Sequence, residues 1–142
     1  MPSGQRVTIK TTRGTIVIRL MVEDAPAPVA NFIRLIKDGF YRGVYFHRVV
    51  SNFVIQAGCP RGDGNGGPPY VIGSDFSLPY YDEGSVGMAS GGKDTEGSQW
   101  FITHSPTPHL DGKYTIFAKV VSGMDVVHRI HVGDRILGFH IQ

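Results

Sequence analysis

The stretch Tyr41 to Gly58, YRGVYFHRVVSNFVIQAG, sets Arg48 inside a run that is otherwise aromatic and aliphatic. A guanidinium stays charged at any physiological pH, and burying it unpaired costs several kcal/mol. The fold must therefore give Arg48 either a structural carboxylate or a cleft where it meets water and a ligand. Read as a strand, Phe46, Arg48 and Val50 share one face while His47 and Val49 point the other way. A second apolar run, Phe53-Val54-Ile55-Gln56, follows the polar break Ser51-Asn52. It brings Phe53 and Gln56 near Arg48, an apolar floor with two polar groups above it.

At 142 residues the chain fits one domain, residues 1–142, able to bury a core without covalent staples. A hydrophobic content of 41% beside 18% charged residues is that of an ordinary globular protein. The net charge of +2 and the scattered lysines and arginines give no basic stripe for nucleic acid. Cys59 is the only cysteine, which excludes an intramolecular disulfide and a CxxC redox or zinc pair. It is expected to pack in the core beside Gly58 rather than act as a nucleophile. No apolar run reaches membrane-spanning length, so no membrane partner is expected. The start, Met1-Pro2-Ser3-Gly4-Gln5-Arg6, has no apolar signal core. It suits a cytoplasmic protein or a methionine placed before a domain excised from a larger or exported one, and the cytoplasmic reading is favoured. With no exposed apolar stripe or heptad, a monomer is expected.

Nineteen glycines and nine prolines spread along the chain imply short elements joined by many turns, as in a β-rich barrel. Alternation from Arg6 to Thr11, a turn at Arg13-Gly14 and a second run, Thr15 to Leu20, read as a hairpin. Prolines 26 and 28 introduce a helix over roughly Val29 to Lys37, with Ala30, Phe32, Ile33 and Ile36 as its apolar stripe and Gly39 as its end. Two strands come from the Arg48 segment, followed by the turn-rich loop Pro60 to Pro69. Further strands are expected at Gly84 to Ala89, Ser98 to Thr103, Thr115 to Val120 and Asp134 to Ile141, with a second helix at Met124 to Ile130. Several strands, two helices and no βαβ alternation suggest a closed antiparallel barrel capped at both ends.

On Tyr41 to Gly58 the chain resembles the cyclophilins, the prolyl isomerases whose strand reads aromatic-x-x-small-x-Phe-His-Arg through Phe-apolar-x-Gln to Gly; every position is filled here. Gly87-Met88-Ala89-Ser90, Gly97-Ser98-Gln99-Trp100-Phe101-Ile102 and Leu110-Asp111-Gly112-Lys113-Tyr114 follow in the family's order, and the likeness runs from Val7 to Ile141. It implies a mainly β fold, a closed antiparallel eight-stranded barrel capped by two α-helices, and peptidyl-prolyl cis-trans isomerase activity on protein clients. Carried over residue by residue, Phe53, Phe101 and Leu110 would form the pocket for the proline ring, with Met88 just behind its floor. Ala89, Ser90 and Gly91 would form the backbone rim, Gln56 and Gln99 would bond the peptide, and Arg48 would sit over the prolyl bond. His109 stands where the family often has tryptophan, which implies weaker cyclosporin binding. Tyr114 replaces a common histidine and still closes the pocket with an aromatic face. Val54 replaces a common methionine.

Prolyl isomerisation needs no nucleophile, metal or cofactor. A guanidinium that donates to the prolyl nitrogen in the twisted state weakens the amide resonance and keeps its proton. Other readings are weaker. Ser98, His104 and Asp111 lack the nucleophile elbow of a hydrolase. His104 and His109 have no further zinc ligands at suitable spacing, and Gly62 to Gly67 is no phosphate cradle without a following Lys-Ser/Thr. His47 is expected to anchor its strand internally. The competitor from another class is a proline-peptide binding module of the same fold with little turnover; Arg48, Phe53, Gln56, Phe101 and Leu110 favour catalysis.

Overall fold

In the computed structural model of the chain, residues 5–22, 25–41, 44–50, 53–58, 83–89, 98–104 and 115–142 are described. The alternation read at the start folds as a hairpin: β1 (Arg6–Thr11) pairs antiparallel with β2 (Gly14–Leu20), Arg6 opposite Arg19 and Thr11 opposite Gly14. Val7, Ile9, Ile16, Ile18 and Leu20 point inward and are fully buried. The Thr11 hydroxyl donates to the Gly14 carbonyl at 2.7 Å and accepts from the Arg13 N–H at 3.1 Å, which pins the turn.

Six more strands follow: β3 (Arg48–Val50), β4 (Val54–Ala57), β5 (Ser85–Met88), β6 (Trp100–Thr103), β7 (Ile116–Ser122) and β8 (Ile136–Ile141). All their ladders are antiparallel, in the order β3-β4-β6-β5-β7-β2-β1-β8. The sheet curls, and its two edge strands approach through the segments that lead into them. Tyr45 and Arg135 form a bridge, flanked by Phe46 N–H to Asp134 carbonyl at 2.9 Å and Ile136 N–H to Val44 carbonyl at 3.0 Å. No ladder joins β3 to β8 among the described residues, so the architecture is a curled eight-stranded sheet with two helices.

Helix α1 (Pro26–Lys37) begins three residues earlier than expected, because proline is tolerated in the first turn, where the N–H has no partner anyway. Val29, Phe32 and Leu35 are its buried residues beside Pro28 and Asn31; Ile33 and Ile36 pack partly against the core. Ala30 is exposed, a correction to the expected stripe. It lies about 100° around the helix from Val29, off the seam set by Val29, Phe32, Ile33 and Ile36. Gly39, with φ +74, ends the helix by donating its N–H to the Ile36 carbonyl. The second helix, α2 (Met124–Arg129), starts at Gly123, φ +95, where a Cβ would collide with the Thr15 carbonyl.

Phe32 is the hub of the core. Its ring lies 5.0 Å from Phe117, 5.7 Å from Tyr41, 5.9 Å from Trp100 and 6.1 Å from Phe139, so α1 is joined to three strands and a loop. Phe46 packs edge-on against Trp100 at 6.1 Å and is fully buried, whereas Arg48 and Val50 are exposed. The expectation that these three share a face is thus corrected: β3 begins only at Arg48, and the bridged segment before it turns Phe46 inward. Cys59 and the loop from Pro60 to Pro69 lie outside the described residues. Phe32→Ala should remove about 3–5 kcal/mol of stability, read as a lower denaturant midpoint with an unchanged slope.

Candidate active site

Strand register assembles the site. Arg48, Gln56, Phe101, Gly87 and Ile116 are successive partners on β3, β4, β6, β5 and β7. Strand side chains alternate, so this row lies on the outer face, and Ile55, Trp100, Ile102, Val86 and Met88 turn into the main core. Arg48 Nη1 donates to Gln56 Oε1 at 3.3 Å, and Gln56 Nε2 donates onward to Gln99 Oε1 at 3.1 Å. The guanidinium carbon lies 5.7 Å from the centroid of the Phe53 ring, within cation–π range. Among the described residues no carboxylate pairs with Arg48. Of the two fates open to an arginine in an apolar run, the fold gives it the solvent-facing one.

Beside this polar chain the outer face carries an apolar cluster of its own. Val54, Phe101 and Ile116 are buried there, and Phe53, Met21 and Ala89 pack against them. Phe101 is 4% exposed although it lies on the outer side of the sheet. Met21 and Ile116 were not singled out in the sequence; only the register of β7 against β2 and β5 brings them here. Met88 is fully buried opposite Trp100 and turns into the main core, on the other side of the sheet from this row. Ala89 packs against this cluster and donates its N–H to the Gln99 carbonyl at 2.9 Å. Ser90, Gly91, His109, Leu110 and Tyr114 lie outside the described residues.

Two fastenings hold the site. The Tyr41 hydroxyl donates to the Ser98 carbonyl and the Ser98 hydroxyl to the Gly58 carbonyl, both at 2.7 Å, tying the end of β4 to the approach to β6. Gly58 has φ +96, and a Cβ there would collide with the Ser98 carbonyl. Ser98, 1% exposed and engaged in this bond, is no nucleophile. Phe53 donates its N–H to the Val50 carbonyl at 3.0 Å and accepts from the His104 N–H at 2.7 Å. His47 donates its backbone N–H to the Gln56 carbonyl, and its ring nitrogens are shielded from solvent, which fits an internal anchor.

The comparisons with known proteins agree with this geometry. The family model for cyclophilin-type peptidyl-prolyl cis-trans isomerases matches residues 6–137. A Helicobacter pylori peptidyl-prolyl cis-trans isomerase is 46% identical over 131 residues, 89% of this chain and 80% of its own. One from Synechococcus elongatus is 44% identical over 94% of this chain and 93% of its own, and Bacillus subtilis peptidyl-prolyl cis-trans isomerase B is 48% identical over 84% and 85%. Among solved structures, a Cryptosporidium parvum cyclophilin-type isomerase superposes with a TM-score of 0.90 at 30% identity, covering 98% of both chains. The same protein has been solved in the presence of the dipeptide Ala-Pro. With the strand register and the motif from Tyr41 to Gly58, these matches define the class: the chain belongs to the cyclophilin-type peptidyl-prolyl cis-trans isomerases.

His104 contributes a pH dependence to stability. Burial lowers its pKa from the usual imidazole value, and repulsion from His128, whose ring is 5.1 Å away, lowers it further; a hydrogen bond to the Val127 backbone works the other way. The unfolded chain takes up this proton near pH ~6.5, before the folded chain does. Stability should therefore fall as pH drops below that point and continue falling until the folded pKa is passed. Chemical denaturation from pH 7.5 down to 5.5 (about one unit on each side of the free imidazole value) should show this decline, and His104→Gln should flatten it.

Proposed function

We propose that Arg48 is the catalytic residue and that the outer apolar cluster is the proline site. The barrier to rotation about a peptide bond, roughly 18–20 kcal/mol, comes from delocalisation of the nitrogen lone pair into the carbonyl. As the bond twists, the lone pair returns to the prolyl nitrogen, which becomes an acceptor. A guanidinium positioned there donates to it more strongly in the twisted state than in either planar one, which is the condition for lowering a barrier. Three observations support Arg48 in this role. Gln56 accepts from one nitrogen of the guanidinium, whose central carbon lies over the Phe53 ring, while the charge stays accessible from solvent.

Phe53, Phe101 and Val54, with Leu110 completing the wall, would hold the proline ring while the preceding carbonyl swings. Gln56, Gln99 and the Ala89–Gly91 backbone would bond the peptide on either side, and His109 and Tyr114 would bound the pocket. The domain would act as a single unit on proline-containing segments of protein clients. Closure of the sheet into a full barrel fits the Tyr45–Arg135 bridge and would keep the site's floor from flexing. The observation that carries this reading is the chain of bonds Arg48 to Gln56 to Gln99 running alongside a buried apolar cluster on the outer face of the sheet.

Isomerisation of an Ala-Pro-Phe-type peptide, followed by protease coupling, tests it. Arg48→Ala should lower kcat/KM by roughly 100- to 1000-fold, the usual loss for a transition-state donor. Arg48→Lys should recover little, since an ammonium lacks the planar fork that Gln56 and Phe53 hold. Undiminished turnover by Arg48→Ala, with peptide binding intact, would leave a binding module in place of an enzyme.

A further inference from the structure

The outer face does not end at the apolar cluster. On β2, Arg19 lies two residues from Met21 and on the same face, and Met21 packs against the cluster. Arg19 stands directly opposite Arg6 on β1 and directly opposite Lys119 on β7, and Lys119 in turn stands opposite Ser85 on β5. Three cations from three neighbouring strands therefore form one row beside the site. They are far apart in sequence, and the sheet brings them into register. Like charges directly opposite one another destabilise an antiparallel pair. Among the described residues neither Arg6 nor Arg19 meets a carboxylate, whereas Arg13, Arg34 and Arg129 each have one and Lys119 has a partner of its own.

We propose that Arg6 and Arg19 form an extended client subsite that selects acidic residues near the proline. The proposal rests on the proline-site reading given above. A strand rises about 3.4 Å per residue and neighbouring strands lie about 4.8 Å apart. From the cluster at Met21, an extended peptide thus reaches Arg19 and then Arg6 with a side chain roughly three to five residues from its proline. An acidic peptide segment suits the pair better than a nucleic acid. The open pair is two residues wide, adjoins the apolar cluster through Met21, and belongs to a chain with a net charge of only +2.

The test compares proline peptides carrying glutamate or glutamine three to five residues before or after the proline, at low and high salt. The parent protein should turn over one glutamate series about three- to tenfold faster in kcat/KM at low salt, the range for two partly exposed ion pairs, and near parity at high salt. The double variant Arg6→Gln/Arg19→Gln should lose the preference, turn over the glutamine peptides like the parent, and melt at a higher temperature. Equal turnover of glutamate and glutamine peptides by the parent, or a preference that persists in the double variant, overturns the proposal. So does a DNA oligonucleotide that displaces the glutamate peptide while an equally charged peptide does not. If nothing is turned over but fluorescence anisotropy shows tighter binding of glutamate peptides through Arg6 and Arg19, the isomerase mechanism fails and the subsite stands.

Discussion

The antiparallel pairing of β4 with β6 carries the architecture. It sets Gln56 opposite Phe101 and Ala57 opposite Trp100, so one ladder builds the site on its outer side and the core on its inner side. Slipping β6 by one residue would turn its side chains over, bringing Trp100 to the surface and Gln99 into the aromatic core. The slip is blocked from both ends. Gly58 gives the Ser98 carbonyl room for the approach that Tyr41 and the Ser98 hydroxyl secure, and the His104 N–H holds the Phe53 carbonyl at the far end.

This arrangement explains why an arginine is tolerable in an apolar run. Its neighbours in sequence are largely core residues, but its neighbours in space are a glutamine, a phenylalanine face and water. The guanidinium is held by a neutral acceptor, which orients it without cancelling its charge. A carboxylate in the place of Gln56 would bind it more tightly and hand the ligand a neutral pair. Gln99, at the end of the relay, fixes which way the Gln56 amide faces and hence which of its atoms Arg48 meets.

The sequence made the motif-bearing half of the site legible and the register-bearing half not. Arg48, Phe53, Gln56, Gln99 and Phe101 stand in two short segments whose pattern is distinctive, and they come together as expected. Alternation misplaces Phe46 because it assumes a strand already under way, and β3 starts two residues later. Ala30 went to the wrong side of α1 because a small apolar residue beside a true stripe looks like part of it. Met21, Ile116 and the row of cations depend on which strands become neighbours, and the order β5-β7-β2-β1 is a long-range outcome that local pattern does not encode. The strands themselves, both helices and their order were legible, with boundaries off by one to three residues where ladders begin late or prolines enter a first turn.

Trp100 is the only tryptophan in the chain and is fully buried, wedged between Phe32 and Phe46. Its sequence neighbours Gln99 and Phe101 belong to the opposite surface of the same ladder. The indole therefore serves as an intrinsic optical probe placed back to back with the groove. Its emission follows the integrity of the aromatic interior, while a peptide seated outside is separated from it by the thickness of one backbone.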